Sequence, residues 1–214
     1  MGNVNAIVCD FGGVLTNPIA GVLQPFLDAS GADLEQLGLA IAGAVPRLGA
    51  NPLFELETGR ITEAKFLGAI AEQLTEQLGR PVSLDGVGER AFAQLVPNPE
   101  MIEYVRRLRA RGLKTAICTN NVREWAQRWR ALLPVDELFD VVVDSAFVGA
   151  RKPEPLIYEL TLERLRVEAG SAMMVDDTEE NCAAAARLGM RAVVFRNTEQ
   201  AIAEIEGVLG EAPL

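Results

Sequence analysis

Four groups of polar residues in this sequence have the types and the spacing to do chemistry. They are Asp10, the pair Thr119-Asn120, Lys152, and the pair Asp176-Asp177. An aspartate can act as a nucleophile or bind a hard cation, a hydroxyl and an amide can hold an anion, and a lysine can neutralise phosphate charge. Taken one at a time, each group also fits a helix cap, an Asx-turn or a solvated loop.

The chain contains no histidine. This absence excludes Ser-His and Cys-His nucleophile pairs, histidine zinc sites and histidine phosphorelays. Catalysis would therefore depend on carboxylates, lysine, hydroxyls or thiols, together with a hard metal ion. Only three lysines, Lys65, Lys114 and Lys152, occur beside 17 arginines, so each lysine is a candidate for a point-charge role.

The composition indicates a folded protein with a small-molecule ligand. Of its 214 residues, 49% are hydrophobic, and its formal net charge of −10 disfavours a nucleic-acid or anionic-membrane partner. No apolar run reaches the roughly 18 residues that span a bilayer, and the first residues do not resemble a signal peptide. Three cysteines without a CxxC pair fit a reduced interior. We therefore expect a cytoplasmic protein without nucleic-acid or membrane partners.

The periodicity predicts an α/β fold. A short buried strand from Asn5 to Cys9 is followed by a glycine-containing loop, and from about Pro18 to Gln94 apolar residues recur at helical spacing. After that segment, helices and apolar strands alternate, which predicts a Rossmann-like parallel sheet with helices on both faces. We therefore expect a core of residues 1–17 and 95–214, and an α-helical cap of residues 18–94 inserted after strand 1.

Ligands of such sheets bind beyond the carboxyl ends of the strands. Each of the four polar groups is expected at such an end. The sequence therefore predicts that an acid, a hydroxyl, an amine and paired acids converge on one rim, which is more specific than any of these groups alone. Two glycines after Asp10, Gly12 and Gly13, let backbone N–H groups turn towards an anion.

The segments DFGGVLT, ICTNN, RKPEPLIY and VDDTEEN resemble, in this order, the four sequential motifs of the haloacid dehalogenase (HAD) superfamily. LETGRIT and the helical segment around it resemble the α-helical cap of its subfamily I. The resemblance spans almost the whole chain, and it extends to the branch with the phosphatase domain of soluble epoxide hydrolase and related sugar-phosphate phosphatases. It implies a Mg²⁺-dependent hydrolase of a small phosphorylated metabolite.

The resemblance also implies a metal site and a nucleophile. Asp10 would form an aspartyl-phosphate. It would bind Mg²⁺ together with the backbone carbonyl of Gly12 and with Asp177, and Asp176 would support the metal from nearby.

The same resemblance implies how the substrate is held. Thr119 and Lys152 would bind the transferring phosphoryl group, with Asn120 and the loop glycines Gly12 and Gly13 as additional donors. Asn181, one helical turn beyond Asp177, would steady that loop or lie on a helix surface. Three residues of the cap segment would contact substrate or form a plain loop: Glu57, Thr58 and Arg60.

One position departs from the family pattern. Phosphatases of this family place an aspartate two residues after the nucleophile as general acid, and Gly12 stands there in this chain. The loss of a general acid slows catalysis by about 10² to 10⁴-fold. Two alternatives to the phosphatase follow: a metal-independent haloacid dehalogenase, since such relatives also lack this aspartate, and a weakly catalytic phospho-ligand binding or regulatory protein. A third alternative, a phosphosugar mutase, loses ground because it too would need the missing acid.

Overall fold

The computed structural model describes residues 3–18 and 20–210, with the side chains of residues 20–22 left out of the description. Its centre is a parallel sheet of five strands, in the spatial order β3-β2-β1-β4-β5. The strands are β1 (Ala6–Cys9), β2 (Lys114–Thr119), β3 (Val141–Asp144), β4 (Ala172–Asp176) and β5 (Arg191–Val194). Strand β1 therefore lies in the middle of the sheet, between β2 and β4.

Helices follow β1 and then alternate with the other strands. Between β1 and β2 lie α1 (Ala20–Ser30), α2 (Leu34–Gly43), α3 (Val45–Leu48), α4 (Pro52–Glu57), α5 (Glu63–Leu78), α6 (Val87–Phe92) and α7 (Pro99–Ala110). The later helices are α8 (Ala126–Leu132), α9 (Val135–Leu138), α10 (Ser145–Val148), α11 (Pro155–Leu165), α12 (Glu179–Arg187) and α13 (Thr198–Leu209). None of these helices is long and apolar enough to cross a membrane.

The sheet is buried on both faces, as the alternation of helices and strands predicts. Successive side chains of a strand point to opposite faces. Ile7 and Cys9 pack with residues of α7 and α13 on one face. Ala6 and Val8 pack with residues of α11 and α12 on the other. The predicted α/β fold with a Rossmann-like parallel sheet and helices on both faces is confirmed.

The helices α1 to α6, which we call the helical segment, share a hydrophobic cluster that also takes in Val122 from the loop after β2. Helix α5 begins at the N-cap Thr62, whose hydroxyl accepts from the backbone N–H of Lys65, and it buries Phe66, Ile70 and Leu74 on one stripe. This stripe packs with buried residues of α2 and α4. The segment therefore buries apolar surface without using the sheet.

The chain passes twice between the helical segment and the part of the molecule that contains the sheet. The side chain of Asn17 donates to the carbonyl of Gln94 and accepts from the N–H of Val96, and Thr16 forms an antiparallel bridge with Pro97. The outgoing and returning chains are therefore held side by side. The helices from 20 to 92 lie inside the predicted cap of residues 18–94, and the domain boundaries themselves stay a prediction.

Candidate active site

Asp10 directly follows β1, and the turn after it is shaped by a glycine. Gly13 has a φ of +81°, which glycine adopts at no steric cost. A Cβ atom at this position would overlap the carboxylate of Asp177. The Gly13 position therefore lets the loop after Asp10 and the loop after β4 approach each other closely.

The centre of the site is a buried ammonium between two buried carboxylates. The Nζ of Lys152 lies 2.8 Å from Oδ1 of Asp10 and 2.6 Å from Oδ2 of Asp176. The exposed fractions are 1% for Lys152, 7% for Asp10 and 0% for Asp176. Strand register brings the two acids together, because Cys9 and Val175 are partners in the β1–β4 pair and the aspartates follow them. The sequence-based prediction that these groups converge on one rim is supported by this geometry.

Lys152 lies at this end of the sheet, in the loop region beyond β3 rather than directly after the strand. Strand β3 ends at Asp144, whose side chain caps α10 by accepting from the N–H of Ala146, and Lys152 lies beyond that helix. The Asn120 amide fixes its backbone: Nδ2 donates to the Lys152 carbonyl over 2.9 Å, and Oδ1 accepts from the Lys152 N–H over 2.8 Å. Asn120 therefore positions the lysine, and its role as a phosphate donor stays a prediction.

Asp176 is held by three donors. Its Oδ1 accepts from the backbone N–H of Thr178 and from Nδ2 of Asn181, and its Oδ2 accepts from Lys152. The N-cap of α12 is Thr178, so the alternative that Asp177 is the helix cap is wrong. Asp177 is exposed and points towards the Gly13 loop. Asp176 is therefore buried and held by hydrogen bonds, whereas Asp177 is accessible to solvent.

The electrostatics of the cluster favour a bound cation. One oxygen from each of Asp10, Asp176 and Asp177 lies within 4.8 Å of the others. Burial raises the pKa of Asp10 to about 7, with Lys152 opposing the rise and Asp176 adding to it. Burial lowers the pKa of Lys152, but the two buried aspartates raise it more, to well above its ordinary value. Three carboxylates thus face one permanent ammonium, which leaves negative charge for a divalent ion to compensate.

Thr119 is the last residue of β2 and is buried at the same end of the sheet. Its hydroxyl is 3.4 Å from the carbonyl oxygen of Asn120, and the residue borders a cavity that Gly12 also lines. Thr119 is therefore on the side of the site that faces the helical segment.

Of the three residues predicted in the cap loop, the structure places one at this cavity. Glu57 lines it, and its Oε2 lies 2.5 Å from Nε of Arg151. The Thr58 hydroxyl donates to the backbone of Phe54, and the half-exposed Arg60 pairs with Glu55. Neither Thr58 nor Arg60 is among the described residues that line the cavity.

Two features were missed by the sequence analysis. Arg151 pairs with Glu57 and stacks over the ring of Phe54 at 3.9 Å, so it joins the loop of Lys152 to α4. The cavity of about 200 Å³ under the helical segment was also missed. The position of Arg151 beside Lys152 was the only available signal for the first. For the second there was none, since apolar helix faces predict a filled core equally well.

Comparison with known proteins supports the resemblance. The model of the haloacid dehalogenase-like hydrolases matches residues 4–189. Phosphatase MT3486 of Mycobacterium tuberculosis (strain CDC 1551 / Oshkosh) is 31% identical over 203 residues, covering 92% of this chain and 90% of the relative. Bifunctional epoxide hydrolase 2 of Rattus norvegicus is 28% identical over 221 residues, covering 96% of this chain but 39% of the relative. The chain therefore spans about two fifths of that relative's length, and it spans 19% of acyl-CoA dehydrogenase family member 10 of Mus musculus, to which it is 30% identical.

Solved structures share the fold. A predicted HAD-like family hydrolase from Porphyromonas gingivalis has a TM-score of 0.73 at 23% identity, covering 99% of this chain and 100% of that chain. The HAD family enzyme BT-2542 from Bacteroides thetaiotaomicron, in complex with magnesium and inorganic phosphate, has a TM-score of 0.66 at 22% identity, covering 89% and 93% of the two chains. With a family model that matches most of its length and a parallel sheet that positions all four motifs, this chain belongs to the haloacid dehalogenase-like hydrolases.

Proposed function

We propose that this chain is a Mg²⁺-dependent phosphohydrolase that removes the phosphoryl group of a small phosphorylated molecule through Asp10. The observation that carries the proposal is the cluster of Asp10, Lys152, Asp176 and Asp177 at the carboxyl end of the sheet. A buried carboxylate oriented by an ammonium is suited to nucleophilic attack, and the ammonium is suited to hold the transferring group.

Two of the similar proteins support this activity. The mycobacterial relative is named a phosphatase, and it aligns with nearly all of this chain. The Bacteroides enzyme was solved with magnesium, the ion that the proposed reaction requires, and with inorganic phosphate, the product that it releases. Both observations concern those proteins, and the residues of the cluster in this chain support the same chemistry here.

The residues of the cluster fit Mg²⁺. This ion prefers a few carboxylates with additional backbone oxygens and waters, and the site has three carboxylates with excess negative charge. We assign Asp10, Asp177 and the carbonyl of Gly12 as its ligands, with Asp176 as a supporting charge held by Lys152. When bound, the ion would neutralise charge on the phosphoryl group.

Each residue of the cluster has its own role in the proposed reaction. The contacts to the Asp10 carboxylate from Lys152 and from the N–H of Phe11 are both made to Oδ1, so we assign Oδ2 as the attacking oxygen. It forms a bond to phosphorus as the ester P–O bond breaks, and the leaving oxygen takes a proton from water because Gly12 has none to give. Lys152 and the Thr119 hydroxyl hold the phosphoryl oxygens. Water then cleaves the aspartyl-phosphate, which releases inorganic phosphate and restores Asp10.

The test is metal dependence of para-nitrophenyl phosphate hydrolysis. EDTA should abolish turnover and Mg²⁺ should restore it, and Asp177→Ala should lower the rate with Mg²⁺ by about 10²-fold or more. Glu179→Ala is the matched control, because it removes an exposed acid in the first turn of α12 and should leave the rate unchanged. Full activity in EDTA and in Asp177→Ala would contradict the metal-dependent mechanism.

A further inference from the structure

The cavity beside Asp10 is almost entirely apolar. Its walls come from the turn Phe11-Gly12 and the end of β2 on one side, and from α1, α2, α4 and α5 on the other. The apolar side chains that line it include Phe26, Ile41, Leu53, Leu56, Phe66 and Trp125. The cavity therefore lies between the turn that follows Asp10 and the core of the helical segment.

Several of the polar groups on its walls already have partners, and apolar side chains make up most of the lining. Glu57 is paired with Arg151, and Nε1 of Trp125 donates to Oε1 of Glu63 over 3.0 Å. The Asn121 side chain accepts from the backbone N–H of Val122, and the Asn120 amide is engaged by Lys152. A sugar bound here would bury several hydroxyls opposite apolar side chains, and buried hydroxyls without partners are costly. An apolar group would bury no unsatisfied hydroxyl, and its transfer out of water is favourable.

From this wall chemistry we infer that the cavity takes the apolar organic group of the phosphorylated substrate, so that the substrate class is alkyl or aryl monophosphates rather than sugar phosphates. This inference rests on the proposed function, and it adds the identity of the leaving group. The reaction is hydrolysis of the ester to an apolar alcohol and inorganic phosphate, with water as the only co-reactant.

The size of the cavity limits the length of that group. An apolar protein cavity of about 150 Å³ is known to bind benzene, which has six carbons. The volume here is about 200 Å³. Scaling by volume, the cavity holds about six to eight carbons in addition to a phosphate at the Asp10 end.

The first experiment measures kcat/KM for n-alkyl phosphates from ethyl to decyl, and for glucose 6-phosphate. All are esters of primary alcohols with similar leaving-group basicity, so differences report binding of the organic group. We expect kcat/KM to rise about threefold to fourfold for each methylene up to about six to eight carbons, and then to level off. The kcat/KM for glucose 6-phosphate should not exceed that for ethyl phosphate. A flat series, or preference for the sugar phosphate, would overturn the inference and leave the proposed phosphatase standing.

A variant and its matched control locate the effect. Leu53→Trp places a larger side chain into the cavity and should lower kcat/KM for octyl phosphate by about 10²-fold, since most of the chain-length gain is lost. Leu78→Trp alters a similarly half-buried leucine at the end of α5, outside the cavity, and should keep the chain-length dependence of the native protein. Equal behaviour of the two variants would contradict the assignment to this cavity.

Binding of non-hydrolysable probes tests the native protein without turnover or substitution. In calorimetric titrations with Mg²⁺, octylphosphonate should bind at least about 10²-fold more tightly than ethylphosphonate. If no phosphate ester is hydrolysed but this preference is found, the proposed function fails and the apolar ligand class stands. If esters are hydrolysed but the two phosphonates bind equally, the inference fails and the function stands.

Discussion

The charged cluster around Lys152 and the apolar cavity meet at Gly12 and Thr119, but they are stabilised in opposite ways. In the cluster, each buried charge depends on its partners, and removal of one leaves another uncompensated. In the cavity, many apolar side chains each contribute a small and similar amount of free energy. The free energy lost on a substitution therefore grows with the volume that the substitution changes. We therefore expect changes in the cluster to act nearly all-or-none, and changes in the cavity to act gradually on substrate choice.

The largest effect is expected from Asp10→Asn. The substitution keeps the shape of the side chain but removes the nucleophile, so turnover should fall by about 10⁴-fold or more, as expected for a group that forms the covalent intermediate. Steady-state hydrolysis of para-nitrophenyl phosphate measures this. Asp140→Asn is the control, because Asp140 precedes β3 at the opposite end of the sheet and pairs with Arg109. Activity retained in Asp10→Asn would show that the cluster is not the reacting centre.

The next effect concerns stability. Lys152→Met removes the ammonium between Asp10 and Asp176 and should lower the free energy of unfolding by about 3 to 5 kcal/mol, because two buried carboxylates lose their partner. Urea denaturation measures the change, and saturating Mg²⁺ should restore part of it. Lys114→Met, which removes a lysine that donates to the Leu165 carbonyl at the other end of the sheet, should cost far less. Equal losses would make Lys152 an ordinary structural lysine.

Gly12→Asp tests the missing general acid at the position where the charged cluster and the apolar cavity meet. It restores a proton donor beside the nucleophile, so hydrolysis of alkyl phosphates should rise by about 10²-fold, while aryl phosphates, whose leaving groups are weak bases, should gain little. The dependence of log kcat on leaving-group pKa should therefore be steep in the native protein and flatter in the variant. A variant that folds and binds Mg²⁺ but gains nothing would count against phosphomonoester hydrolysis.

The smallest effect is expected from Glu57→Gln. Burial raises the pKa of Glu57, and the nearby guanidinium of Arg151 opposes that rise and binds the ionised form. We therefore expect Glu57 to hold α4 against the Lys152 loop rather than to donate protons, and the variant to lose only a few fold in kcat. Leaving-group dependence of kcat checks this. A loss of about 10²-fold confined to alkyl phosphates would instead identify Glu57 as the missing acid.

Much of this protein follows from local sequence patterns. Periodicity predicted the alternation of helices and strands, and the parallel sheet then required Asp10, Thr119 and Asp176 to lie at one edge. These conclusions hold because the period of an element is set by its own backbone geometry, and because the carboxyl ends of parallel strands share one side. The resemblance of four short motifs added the family, which the comparisons confirm.

Only the tertiary structure decided how these side chains divide their tasks. The contact of Glu57 with Arg151 joins residues 94 positions apart, and no local pattern distinguishes Glu57 from Arg60, which pairs with Glu55 instead. The same holds for Asn120, which binds the backbone of Lys152, and for the apolar helix faces that leave a cavity beside Asp10. Packing between distant segments depends on the shapes of both segments. A local sequence pattern does not determine these shapes, so it does not predict which side chains meet.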